Sequence, residues 1–116
     1  MHHQSLTPYR PAAGSAPSAV SMTQAVVAHT YGVALEELRA ATRKTPRAAR
    51  ARQVAMYLSH VVLHLSLREV ADAFGRDRST ASYACHHIED LREDPAMDRT
   101  LGWLESFVRS AAGARL

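Results

Sequence analysis

A single cysteine, Cys85, stands among 116 residues, so the chain forms no internal disulfide and no cysteine-based zinc site. No apolar run approaches the about 20 residues that a membrane-spanning helix requires. The amino terminus has no basic segment followed by an apolar core, which predicts a cytoplasmic protein rather than a secreted one. No stretch alternates polar and apolar residues with period two over a useful length, which excludes strands and predicts an all-α fold. There is no Gly-x-x-x-x-Gly-Lys-Ser/Thr loop to cradle nucleotide phosphates, and no His-Glu-x-x-His motif. Ser, His and Asp are present, but no pattern joins a nucleophile, a base and an orienting group. No enzyme activity, cofactor or metal is therefore expected.

What remains is an ordinary globular balance: 47% hydrophobic and 22% charged residues, enough for one compact domain. The net charge is only +3, but it is unevenly spread. Residues 39–86 hold nine basic and three acidic side chains, whereas residues 87–116 hold four basic and six acidic. The densest run is Arg39, Arg43, Lys44, Arg47, Arg50 and Arg52, without an acid between them. Five of these six are Arg, whose planar guanidinium suits phosphate oxygens and base edges. A solvated helix face is the plain alternative for such a run.

Residues 1–19, with Pro8, Pro11 and Pro17 among Ser, Ala and Gly, read as a disordered tail ahead of a domain over 20–112. A helical pattern starts at Ser18 or Ser21 and breaks at Gly32. A short helix follows over Leu35–Ala41, with Glu36 and Glu37 in its first turn, where the helix dipole favours acids. Pro46 is placed to open the longest helix, about 47–64, in which Val54, Leu58, Val61 and Leu65 recur at helical spacing. Ser66-Leu67-Arg68-Glu69 is a capping box, and its short helix carries Leu67, Val70, Ala71 and Phe74 inward before Gly75. Asp77 is the expected N-cap of the next helix, whose buried stripe is Ala81, Ala84 or Cys85, Ile88 and Leu91. A last helix, about 96–111, offers Leu101, Leu104, Phe107 and Val108 to the core.

A capped short helix, a Gly turn and a second helix outline a helix-turn-helix, in which the second helix enters the DNA major groove with its first turn. That turn reads Arg76-Asp77-Arg78-Ser79-Thr80, rich in hydrogen-bonding groups and free of large apolar side chains. Arg bridges guanine O6 and N7, and hydroxyls bond base edges or phosphates. Tyr83 and His86 lie further along the same helix.

Ala73-Phe74-Gly75-Arg76-Asp77-Arg78-Ser79-Thr80, followed by Ala84-Cys85 and Ile88-Glu89-Asp90-Leu91-Arg92-Glu93, resembles the signature of the DnaA C-terminal DNA-binding domain. The likeness extends back through Ser66–Val70, Ala49–Leu58 and Val33–Leu38, covering about residues 20–110 in the same element order. It implies a stand-alone helix-turn-helix domain binding double-stranded DNA at DnaA-box-like sites, associated with the nucleoid. It further implies that Asp77, Arg78, Ser79 and Thr80 read the major groove and that Lys44, beside Arg43, reaches the minor groove. By the same likeness Arg50, Arg52 and Gln53 contact the DNA backbone, as do groups near Ser66, Leu67 and Arg68, and His60 takes the place of a lysine. The chain departs from the family pattern Gly-Gly-Arg-Asp-His-Thr-Thr-Val by one missing Gly, by Arg78 for His and by Ala81 for a Val able to touch a thymine methyl. These departures bear on the preferred DNA sequence rather than on DNA binding. Without the phosphate-binding loop, a regulator of replication initiation or transcription is expected rather than an initiator.

Two other classes are compatible with the residues. One is a protein-interaction module that docks a partner through an acidic helix over 88–98. The other is a metal-dependent regulator using His60 and His64, spaced i,i+4 on a helix. Their plain readings are a solvated acidic face, a DNA-facing His60 and a His64 at a helix end. Cys85 reads as a small packed thiol, and Trp103 as core or interface.

Overall fold

A computed structural model describes residues 16–40 and 45–113. They form α1 (Ala16–Tyr31), α2 (Leu35–Arg39), α3 (Pro46–Val61), α4 (Leu67–Phe74), α5 (Arg78–Leu91) and α6 (Pro95–Gly113), and among the described residues there is no strand. None of these helices is long and apolar enough to cross a membrane.

The domain is built around α3. Thr45 caps it, its hydroxyl accepting from the Ala48 N–H at 3.0 Å, and Pro46 sits at the first helical position, where its missing N–H costs nothing. Beyond its first turn α3 is buried on most sides, with Ala51, Val54, Ala55, Met56, Tyr57 and Leu58 all in the core. A helix apolar most of the way round must be surrounded. Accordingly α1, α2, α4, α5 and α6 all pack against α3. Small residues such as Ala51 and Ala55 let neighbouring helices approach closely. The buried aliphatic hydroxyls of Thr23 on α1 and Ser59 on α3 donate to the carbonyls of Ala19 and Ala55, both at 2.9 Å, so neither is left unpaired.

α1 begins at Ala16, so residues 16–19, assigned from composition to the tail, belong to the domain. Pro17 fits the first turn of a helix, and Ala19 and Val20 are already buried in the core. Residues 1–15 lie outside the described residues. In α6, Leu101, Leu104, Val108 and Ala112 take the inner face, as expected for three of them, but Phe107 does not. It lies one position, about 100°, round the helix from Val108 and is 43% exposed, stacked on an exposed Trp103 with ring centroids 5.6 Å apart. Trp103 is therefore not a core residue.

α4 is held at both ends by the chemistry its sequence announces. The Ser66 hydroxyl accepts from the Glu69 N–H at 3.1 Å, and the Glu69 carboxylate accepts from the Ser66 N–H at 2.8 Å. Gly75 ends the helix in the left-handed region at φ 64°, which allows the Arg76 N–H to reach back to the Ala71 carbonyl at 2.9 Å. A Cβ at Gly75 would meet nothing within 4 Å, so only the backbone opposes a side chain there. Gly75→Ala is expected to lower stability by about 1 kcal/mol, read as a shift in the urea midpoint with an unchanged slope.

Candidate nucleic-acid interface

α4, Gly75 and α5 make a helix-turn-helix, with α5 braced against both α3 and α4. Ala81, Ala84, Cys85 and Ile88 fix the inner face of α5. Burial pushes the Cys85 thiol up to about 11, so it remains a neutral, packed group. Ala81 is fully buried and cannot meet a thymine methyl, contrary to what its place in the family pattern suggests.

The outer face of the first turn of α5 is polar and open. Arg78, Ser79 and Thr80 are exposed, and Arg78 has no hydrogen-bond or ion-pair partner among the described residues. Asp77 holds the N-cap position, but its carboxylate does not cap the helix. It accepts the Thr80 hydroxyl at 3.1 Å instead, which orders the two side chains as a pair. Further along α5, Tyr83 is 61% exposed and stacked on His87, and His86 Nδ1 lies 2.9 Å from the Ser82 carbonyl.

Between α3 and α5 lies a hollow of about 210 Å³, with Met56 and Ala84 among its apolar lining and Gln53, Arg76, Thr80 and Tyr83 among its polar lining. Five residues singled out from the sequence, these four and Arg52, thus line one hollow. Arg76 is half-buried and donates to the Ala40 carbonyl at 2.7 Å, tying the turn before α5 to the end of α2. Ser66 and Arg68 are exposed at the start of α4, whereas the Leu67 side chain packs against the core. Arg50 is half-buried beside Tyr31, and its Nε has no hydrogen-bond partner. Burial raises the Tyr31 phenol pKa, and the Arg50 charge partly opposes that rise. Arg43 and Lys44 lie outside the described residues.

Two residues expected to face DNA bond within the protein instead. Arg52 is 7% exposed, and its Nε and Nη2 donate to the carbonyls of Leu38 and Glu37 at 2.7 and 3.1 Å. These carbonyls close a five-residue helix, where a cation both satisfies hydrogen bonds and meets the negative end of the dipole. His60 is turned into the connection after α3, with Nδ1 2.7 Å from the Leu65 carbonyl. A carbonyl can only accept, so Nδ1 carries the proton. α3 ends at Val61, and His64 adopts φ 62° outside it, so His60 and His64 do not share a helix face as metal ligands would.

The acidic segment 88–98 is not one helix. It comprises the end of α5, a turn at 92–94 and the start of α6. Three of its acids, moreover, are not simply solvated, and one of them, Asp94, accepts the Met97 N–H at 3.1 Å. Arg92 Nε donates to Asp98 at 2.7 Å, and Nη1 donates to Glu105 at 2.6 Å and to the Tyr57 hydroxyl at 3.0 Å. Tyr57 in turn donates to Glu89 at 2.5 Å. Burial and the Glu89 bond push the Tyr57 phenol up to about 12, so it remains a donor across the ordinary pH range. Sequence reasoning missed this cluster. The signal available was Tyr57 on a buried stripe, since a buried phenol needs a partner.

Residues 20–88 match the family described as bacterial dnaA protein helix-turn-helix. A chromosomal replication initiator protein DnaA of Laribacter hongkongensis is 37% identical over 101 residues, which are 85% of this chain and 21% of that protein. The DnaA of Thermodesulfovibrio yellowstonii is 29% identical over 99 residues, 84% of this chain and 22% of that protein. A crystal structure of a DNA replication initiation factor superposes with a TM-score of 0.76 at 28% identity, over 84% of this chain and 30% of that one. A replication initiator DnaA bound to AMPPCP and single-stranded DNA superposes with a TM-score of 0.74, also at 28% identity. The chain spans about a fifth of the length of the curated relatives it matches. On its matched residues, its helix order and the helix-turn-helix of α4 and α5, the chain belongs to the bacterial DnaA helix-turn-helix family.

Proposed function

We propose that the chain binds double-stranded DNA through α4 and α5 at DnaA-box-like sequences and regulates replication initiation or transcription by occupying such sites. In this reading Asp77, Arg78, Ser79 and Thr80 meet base edges in the major groove, and Arg43 and Lys44 enter the adjacent minor groove. Arg50, Gln53, Ser66, the backbone at Leu67, Arg68, Arg76 and Tyr83 face phosphates. Arg52 and His60 support the fold and are left out of the contact set. The observation that carries the reading is Arg78, unpartnered among the described residues, on the exposed first turn of a braced helix, beside the hollow bordered by Gln53, Arg76 and Tyr83. The surplus of positive charge over residues 39–86 supports it. The role proposed for this domain is occupancy of such sites or competition for them.

The electrostatic part is tested by fluorescence anisotropy of a labelled duplex across a salt series. Affinity should fall linearly on logarithmic axes, and Lys44→Ala should weaken binding to all sequences alike and flatten the slope by about one. An unchanged slope would remove Lys44 from the contact set. Absence of duplex binding at low salt would refute the DNA reading as a whole.

A further inference from the structure

The last four residues of α5 and the turn after it are fastened to two other helices by one guanidinium. Arg92, the C-cap of α5, reaches Tyr57 on α3 and both Asp98 and Glu105 on α6, while Glu89 on α5 accepts from the same Tyr57 hydroxyl. The arrangement is partly enclosed: the side chains of Arg92 and Glu105 are 21% and 19% exposed, whereas Asp98 is 53% exposed. Exposed ion pairs contribute little, but a sheltered guanidinium bonded to two carboxylates and a phenol defines direction as well as energy. None of these five residues is near the first turn of α5, and none is in the proposed DNA contact set.

We infer that Arg92 is a positioning residue for DNA reading: by tying the trailing end of α5 to α3 and α6, it sets the angle at which Arg78, Ser79 and Thr80 are presented. The inference rests on the DNA-binding reading above. Its physical basis is leverage. The 14 residues of α5 make a rod of about 21 Å at 1.5 Å per residue. A tilt of about 5° at the trailing end therefore carries the first turn through about 2 Å. Hydrogen bonds to base edges hold only within a few tenths of an ångström, whereas long-range attraction to phosphates barely changes over such a distance. Release of the clamp should thus erode discrimination between sequences and spare non-specific affinity.

The test compares the parent, Arg92→Gln, Arg92→Lys and Asp98→Asn on a DnaA-box duplex and a scrambled duplex of equal length, well below the melting temperature of each variant. Arg92→Gln should lower the ratio of box to scrambled affinity about tenfold, the scale of one lost base contact. Arg92→Lys, which keeps the charge and fewer donors, should restore part of the ratio. Asp98→Asn removes only the charge of the most exposed partner and should give a smaller change in the same direction, so the test survives if Arg92→Gln fails to fold. In the free protein, amide resonances of Arg78, Ser79 and Thr80 should move in Arg92→Gln although these residues lie at the other end of the helix. A purely structural role predicts a lower melting temperature with the affinity ratio and those resonances unchanged, and that result would overturn the inference. A parent that binds neither duplex would instead refute the DNA reading, and the amide resonances would still decide whether Arg92 orients the first turn.

Discussion

Arg78→Ala is expected to weaken binding to the preferred duplex by about 1–3 kcal/mol and to relax the preference at one position, while binding to unrelated duplexes changes much less. The side chain is exposed and unpartnered among the described residues, so its removal leaves no buried group unpaired. Stability should accordingly stay within about 0.5 kcal/mol of the parent. The neighbouring side chains divide the work. Asp77 and Thr80 are bonded to each other, so on the proposed reading each would meet DNA with one interaction already made, whereas Arg78 offers its whole donor fork. A bidentate contact to guanine O6 and N7 is the pairing that such a fork fits best. Competition anisotropy against duplexes substituted one base pair at a time would locate the contact. Equal loss on every duplex would make Arg78 a phosphate contact instead.

Arg52→Ala should do the opposite. Its guanidinium closes the carboxyl end of α2 through two carbonyls, and hydrogen bonds from a charged group of this kind contribute about 1.5–3 kcal/mol. The substitution also removes a packed aliphatic stem from a site only 7% exposed. A loss of about 2–3 kcal/mol in chemical denaturation is expected. Where the variant remains folded, its salt dependence on duplex DNA should match the parent, because no phosphate contact has gone. A slope reduced by about one would return Arg52 to the DNA backbone.

Much of the helix-turn-helix is legible in the sequence, because local chemistry fixes it. Ser66 and Glu69 can only cap the helix between Leu67 and Phe74, and Gly75 supplies the left-handed residue that ends it. Ala81, Ala84 and Ile88 set the inner face of α5 and so turn Ser79 outward, whereas Arg78, three residues before Ala81, is exposed on the open first turn. Arg52 shows where the reading fails. In a basic run it counts as surface charge, yet it stands four residues after Ala48 and three before Ala55, on the buried side of α3. Helical spacing held that signal, and charge obscured it. The carboxyl end of α3 misleads for another reason. His64 takes a left-handed backbone that non-glycine residues rarely adopt, so the helix stops earlier than its apolar pattern. The clamp at Arg92 was out of reach, since its bonds to Tyr57 and Glu105 span 35 and 13 residues along the chain. Only tertiary packing brings those groups together.

The central claim, sequence-dependent binding of duplex DNA through the first turn of α5, is tested most directly by one comparison. Anisotropy of a labelled DnaA-box duplex is measured beside a scrambled duplex of equal length, from low to physiological salt. The expected result is tighter binding to the box, with a difference that persists as salt weakens both. Equal and steeply salt-dependent binding to the two duplexes would contradict site recognition and leave only electrostatic attraction.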